Sequence, residues 1–132
     1  MVERGGMLRI LMIPDRKKQT IHDCIRRNIE EGSVIYTDGW YSYKGLKSEY
    51  NHDFVNHHKR EYAKGVVHTN TIENVWGLLK KSIRNAHHHI SEKHLEKYCD
   101  EVAYRYNTRS MNTIDRFDDI LKRCLTFHSQ PI

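Results

Sequence analysis

Ser33-Val-Ile-Tyr-Thr-Asp-Gly39 is the stretch on which the fold turns. Its β-branched and aromatic residues are too few for a helix and end in an Asp-Gly pair, so they read as a short strand closing at Asp38. Upstream, Ile21, Cys24, Ile25 and Ile29 recur at helical spacing between Thr20 and Glu31. Thr20 reads as the N-cap, Asp23 stands three residues on as in a capping box, and Gly32 reads as the C′ stop. Before that helix, Met7–Ile13 is an apolar run entered from Gly5-Gly6 and closed by Pro14, which reads as a buried strand. Val2 ends a preceding strand, with Gly5-Gly6 as the hairpin turn. Strand, helix, strand in this order predicts an α/β fold with a parallel pair.

Downstream, a short helix is expected over Tyr41–Lys47, a strand over Asp53–Asn56 and a polar, irregular connection over Lys59–His68. Beyond it the chain turns helical. From Thr71 to Arg84, Ile72, Val75, Trp76, Leu79 and Ile83 form an inward stripe, with Thr69 or Asn70 as cap. A second helix is expected from Ser91 to Tyr106, with Leu95, Tyr98, Val102 and Tyr106 on one face. A last one runs from Asp115 to Leu125, with Phe117, Ile120, Leu121 and Leu125 inward.

With 132 residues the chain is long enough for one domain and a true core. Eight Tyr, two Trp and three Phe argue against disorder. Lys and Arg exceed Asp and Glu by 22 to 17, a net charge of +5 that suits an anionic partner without demanding one. Three well-separated cysteines, Cys24, Cys99 and Cys124, make neither a disulfide scaffold nor a four-Cys zinc site and fit a reducing compartment. No apolar run is long enough to span a bilayer, and Asp15-Arg-Lys-Lys18 stands where a secretory leader needs small residues.

Two features carry chemistry. Asp38 lies at the carboxyl end of a strand, where ligands of open α/β sheets sit, and a carboxylate there suits a hard cation. An Asp-Gly pair after a strand is more often an ordinary turn, and the residues alone leave the functional reading open beside it. The second feature is the polar face of the 71–84 helix, which holds Glu73, Gly77, Lys80, Lys81 and Arg84. Glu73 and Lys80 are two turns apart, about 10 Å along the axis. Gly77 between them costs up to about 1 kcal/mol relative to Ala. A smooth path for a substrate backbone past Glu73 would justify that cost, but spacing alone favours a solvated face with an ordinary Glu and Lys.

The stretch His68-Thr-Asn-Thr-Ile-Glu-Asn-Val-Trp-Gly-Leu-Leu-Lys-Lys81 resembles the catalytic helix of insertion-sequence transposases with the ISXO-like domain, relatives of the Merlin transposons. Thr37-Asp-Gly-Trp-Tyr-Ser-Tyr43, Val55-Asn-His57, His88-His-Ile-Ser-Glu-Lys-His-Leu95 and Tyr104-Arg-Tyr-Asn-Thr-Arg109 continue it in the correct order. The resemblance implies a ribonuclease-H-like, mixed sheet of the DDE integrase type with a helical C-terminal part: a transposase domain over 1–110 and a helix and tail over 111–132. It makes Asp38 the second catalytic acid, Glu73 the third, and Lys80 the helix lysine that contacts DNA near the cut, with Lys81 and Arg84 on the same face. The implied chemistry is strand cleavage and transfer at transposon ends, with Asp38 and Glu73 as ligands of two Mg²⁺ (or Mn²⁺) ions. It also implies an intracellular protein, nuclear in a eukaryote and cytoplasmic or nucleoid-bound in a bacterium, and allows a homo-oligomer in the intact ancestor.

The family's first acid lies on a first strand that this sequence does not show. Val2–Gly6 corresponds to the end of the second strand and Met7–Ile13 to the third, which places the first strand and its Asp upstream of Met1. Glu3 and Asp15 stand on the wrong segments to replace it. The expectation is an N-terminally truncated chain that binds DNA and lacks efficient strand transfer; the alternative is an inactive or domesticated remnant acting as a nucleic-acid-binding or protein-interaction module.

Other constellations are weaker. His87, His88, His89 and His94 lack a nearby Cys or finger spacing, which disfavours zinc. Trp40, Tyr41 and Tyr43 suit stacking on nucleobases, although core packing is expected of at least one of them. Lys17, Lys18, Lys59, Arg60, Lys80, Lys81, Arg84, Arg105 and Arg109 are candidates for a phosphate-binding face.

Overall fold

The computed structural model describes residues 1–56, 63–64, 67–86 and 91–127. Helix α1 covers Lys18–Asn28. It starts two residues before Thr20 because Asp15 supplies the polar contacts at its start: Oδ1 accepts from the Lys17 N–H at 3.0 Å and from the Thr20 hydroxyl at 2.6 Å. These bonds hold the Asp15 carboxyl below its ordinary pKa. Gly32 lies beyond the helix end rather than at C′. Its φ of +80° forms the turn into the next strand, and its N–H bonds the Glu49 carbonyl at 2.9 Å.

Strand β1 (Val34–Asp38) pairs in parallel with β2 (Asn51–Val55), Val34 opposite Asn51 and Asp38 opposite Val55. The parallel pair expected from the sequence exists, but its second member follows β1 rather than preceding α1. The crossover is two 3-10 turns, Tyr41–Tyr43 and Leu46–Ser48, in place of one short helix. Gly45 between them has φ +95°, which only glycine adopts cheaply. Ile25, Ile35, Leu46 and Tyr50 are buried together, flanked by Ile21, Ile29 and Tyr43. The Arg26 guanidinium grips the Glu49 carboxylate through two bonds of 2.6 and 2.7 Å, tying α1 to the end of the crossover.

Two-residue strands β3 (Ala63–Lys64) and β4 (Val67–His68) form an antiparallel hairpin inside the stretch expected to be irregular. β4 lies against β1 and β2 and leads into α2 (Asn70–Ala86). Helix α3 covers Glu92–Asn107 and packs on α2. Val75 and Leu79 of α2, Cys99 and Val102 of α3, and Leu8 form a second core.

The segment Met7–Ile13 is not the buried strand its composition suggests. Val2 and Leu8 make one isolated bridge, and of the run only Leu8 is buried; Met7, Leu11, Met12 and Ile13 are exposed. A strand is buried by its neighbours; Arg9 still exchanges backbone bonds with Met1, but residues 10–13 have no strand partner among the described residues. What fixes Leu8 is Asn107. Its carboxamide accepts from the Leu8 N–H at 2.7 Å and donates to the Leu8 carbonyl at 2.9 Å, standing in for a paired strand. Arg109 adds bonds to the Gly5 and Gly6 carbonyls at the hairpin turn, its guanidinium 4.2 Å from the Tyr106 ring centroid.

Helix α4 (Thr113–Phe127) also departs from expectation. Phe117, Ile120, Leu121 and Leu125 are exposed rather than inward. The helix is held at its start instead, where the Tyr104 hydroxyl bonds Asp119 and the Arg116 carbonyl, and Arg116 donates to the Thr108 carbonyl.

Replacing Asn107 with Ala strips the partners from both backbone groups of Leu8. At about 1–3 kcal/mol for each unsatisfied group, less where water reaches it, the expected loss is about 2–4 kcal/mol in urea unfolding. Asn107→Asp retains only the acceptor and sets an anion against the Leu8 carbonyl, so it too is destabilised. Wild-type stability in Asn107→Ala would show that the hairpin is held by apolar contacts alone.

Candidate functional site

Asp38 sits where the sequence places it, exposed at the carboxyl end of β1. Its Oδ1 accepts from the Trp40 N–H at 3.2 Å, an Asx-type turn that sets the course of the chain after the strand. Beneath it, Thr37 and His52 form a buried pair at 2.8 Å, and the Thr37 hydroxyl also donates to the Asp38 carbonyl at 2.8 Å. With its only proton on that carbonyl, Thr37 accepts at His52, so His52 carries its proton on Nε2. Burial, and secondarily Lys47, push the His52 pKa below its ordinary value against a weaker opposing pull from Asp53. Burial and the charge of Asp38 push the nearby Tyr43 hydroxyl upward.

Past Asp38, the Trp40 indole N–H donates to the Ser42 hydroxyl at 3.2 Å, which donates to the Arg16 carbonyl at 2.8 Å. The His22 ring holds the Ser42 carbonyl at 3.1 Å. Trp40 is thereby tied to α1 while half its surface stays open; Tyr41 is exposed and Tyr43 half-buried in the core. A cavity of about 220 Å³ opens beside Asp38, lined by Trp40, Tyr43, Lys44, Lys47, His52 and Phe54 among others.

Glu73 lies in the first turn of α2, exposed, where it favours the helix dipole. It accepts from the Thr69 hydroxyl at 2.6 Å. Gly77, Lys80, Lys81 and Arg84 are exposed on the same side of the helix. A Cβ on Gly77 would meet nothing within 4 Å among the described residues, so internal packing does not require the glycine. Trp76 is not fully buried: 43% of its surface is exposed, against 1% for Val75 and 5% for Leu79. At about 100° per residue, Trp76 falls about 60° from Glu73 and Lys80 about 20°, so Trp76 borders the polar stripe while Val75 and Leu79 point into the core. His68 Nδ1, just before α2, is buried and has no hydrogen-bond partner among the described residues.

Hard carboxylate oxygens suit Mg²⁺, yet among the described residues no three of His, Cys, Asp and Glu converge. Asp38 and Glu73 alone do not make a complete donor set for a metal pair. No helix among the described residues is long and apolar enough to cross a membrane.

The model of the ISXO2-like transposase domain matches residues 1–107. The chain belongs to this transposase family. A transposase-like protein of Haemophilus influenzae, itself uncharacterised, is 28% identical over 104 residues, covering 78% of this chain and 83% of its own length. No solved structure matches. The match shows a transposase-family domain, with its transposition-related role, on a mixed α/β fold.

Of the basic residues expected to form a phosphate face, Arg109 is spent on the hairpin turn, Arg105 pairs with Glu101 and Lys17 with Asp15. Lys59, Arg60, His57 and the run His87–His89 lie outside the described residues. Asn107 and Arg109 belong to the family-like segment Tyr104–Arg109, whose structural use the sequence did not reveal.

The His52 shift sets a pH dependence. The unfolded imidazole titrates near its ordinary value of 6.5 and the folded one lower. Between those values the unfolded state binds more protons, so stability falls as pH drops below about 6.5 and levels off below the folded value. Thermal melts from pH 7.5 to 5 should show this loss, and His52→Gln should flatten it. An equally steep loss in His52→Gln would place the titrating group elsewhere.

Proposed function

We propose that the chain is a DNA-binding transposase domain of the DDE type that engages transposon ends through Lys80, Lys81 and Arg84, with Asp38 and Glu73 as the two acids it contributes to a Mg²⁺ or Mn²⁺ site. The observation that carries this reading is the exposed stripe Glu73–Gly77–Lys80–Arg84 on α2, together with a strand-end carboxylate, in a family of transposases. Three cations on one helix face neutralise phosphates, while Gly77 leaves room for a nucleic-acid backbone to approach. A ribonuclease-H-like architecture is the fold this reading implies, with residues 111–132 as an appended helix and tail.

Two acids without a third favour a specific division of labour. Phosphate neutralisation needs only the cations, whereas bound Mg²⁺ depends on carboxylates and substrate phosphates to hold its position. Binding without efficient cleavage is the expected behaviour of the 132-residue chain.

A gel shift on terminal-repeat DNA across a salt series tests the reading. Affinity should fall linearly on a double-logarithmic plot. Replacing Lys80, Lys81 and Arg84 by Ala should weaken binding and reduce the slope by about 1 for each phosphate no longer neutralised. Asp38→Ala and Glu73→Ala should bind DNA at least as well as wild type while losing the weak Mn²⁺ binding expected of the pair. An unchanged slope in the triple variant would refute the α2 interface. Robust Mg²⁺-dependent cleavage that Asp38→Ala abolishes would show that another residue completes the site.

Gly77→Ala offers a separate test. It should raise stability by up to about 1 kcal/mol, since the new methyl meets open space, and at the same time weaken DNA binding. A stabilised variant with wild-type affinity would mean that no backbone passes over Gly77.

A further inference from the structure

The cavity beside Asp38 is separate from the α2 stripe, and the proposed phosphate contacts do not use it. Its chemistry is specific. Trp40, Tyr43 and Phe54 supply ring surface, and Trp40 and Phe54 are each about half exposed, at 51% and 42%. Lys44 and Lys47 stand in the same wall. The Arg16 guanidinium lies 5.7 Å from the Trp40 ring centroid, and the Lys44 ammonium 5.1 Å from that of Tyr41. A volume of about 220 Å³ falls below the roughly 300–1,000 Å³ of pockets for drug-sized ligands and suits a single planar ring system.

An exposed tryptophan normally samples several rotamers. Trp40 is fixed by its bond to Ser42, which is itself held by Arg16 and His22. Fixing an apolar ring in the open wins nothing for the fold, but it removes the ordering cost of binding another flat ring. Aromatic faces interleaved with Lys and Arg are the chemistry of single-strand recognition, where bases stack and phosphates meet cations. A base inside a duplex has no free face to offer.

We propose that this cavity receives one unpaired nucleobase of the DNA strand held at Asp38, stacked on Trp40, with Lys44 and Lys47 on the flanking phosphates. The proposal rests on the DNA-binding reading and adds to it a preference for a strand with an unpaired nucleotide.

The test uses the full chain and two DNA probes of one sequence: a blunt duplex, and the same duplex ending in a short single-stranded overhang that contains 2-aminopurine. Wild-type protein should prefer the overhang and change the 2-aminopurine fluorescence on binding. Trp40→Ala should lose overhang affinity by roughly 5- to 150-fold, the range of one base–aromatic stack, and keep wild-type affinity for the blunt duplex. Trp40→Phe should retain most of the preference, which separates loss of the ring from loss of the Ser42 bond. Circular dichroism guards against misfolding, and the fluorescence change in wild type needs no variant.

Blunt-duplex binding with no overhang preference and no fluorescence change would overturn the base receptor while leaving the DNA-binding reading intact. No binding to either probe would overturn both. Equally tight binding of the free 2-aminopurine deoxynucleotide would assign the cavity to a mononucleotide and overturn its assignment to a strand.

Discussion

One side chain closes this chain upon itself. Asn107 satisfies both backbone groups of Leu8, 99 positions away, and so brings the N-terminal hairpin against the α2–α3 pair. Within itself the hairpin has one bridge and a few backbone bonds, between Glu3 and Met7 and between Met1 and Arg9, and of its apolar run only Leu8 and, in part, Ile10 reach the core. A carboxamide carries its donor and its acceptor on separate atoms in the geometry of a peptide group, as a neighbouring strand does. Arg109 fixes the turn in the same way, through carbonyls. The cluster of Leu8, Val75, Leu79, Cys99 and Val102 therefore depends on polar contacts made by the last turn of α3 and the residues just beyond it.

That core decides which way α2 faces. Because Val75 and Leu79 are drawn against Leu8 and α3, the opposite side of the helix must carry Glu73, Gly77, Lys80 and Arg84 into solvent. The other core, around Ile25, Ile35, Leu46 and Tyr50, positions Asp38 by holding β1 under α1. Each acid thus belongs to a different core, and β4, packed on β1 and β2 and running into α2, links the two. Changes that loosen either core act on the candidate site through geometry alone, without touching a polar residue in it.

Much of this was legible in local pattern and some of it was not. The α2 stripe spans nearly five turns, so its period was unmistakable, and the strand ending at Asp38 was marked by composition and its Asp-Gly stop. Trp76 misled because a bulky apolar residue at the border of a stripe satisfies the period whether or not anything covers it. Met7–Ile13 and α4 misled for a related reason: apolar pattern announces a face to be buried but not the element that buries it. Thr20 looked like a cap, yet Asp15, set off by Pro14, reached the helix start first. The roles of Asn107 and Arg109 depend on partners about a hundred residues away, beyond the reach of any local signal. In the site, Asp38 and Glu73 carried a signal through resemblance, whereas the anchoring of Trp40 through Ser42 and His22 required three separate segments to meet.

The electrostatics of the two surfaces differ in a way that bears on their use. The α2 cations lie in open solvent, where a charge pair at 4 Å is worth only about 1–4 kcal/mol and is screened over about 8 Å at physiological salt. In the proposed DNA-binding role these cations count only as a sum, and they carry no information about which nucleotide is present. Around Asp38 the position is reversed. A lone carboxylate repels phosphate, yet it stands in a wall with Lys44 and Lys47, and ring faces supply a contact that salt does not screen. A polyanion can therefore be gathered by α2 at long range and positioned at Asp38 by short-range contact. Rising salt should remove the first step before the second, because released counterions govern one and buried ring area the other. A carboxylate that must meet a phosphate needs this arrangement: the attraction that overcomes its own charge has to come from neighbours that do not neutralise it by direct pairing. Asp38 meets that condition, since the hydrogen bond the structure gives its carboxylate is from the Trp40 backbone rather than from a lysine or arginine.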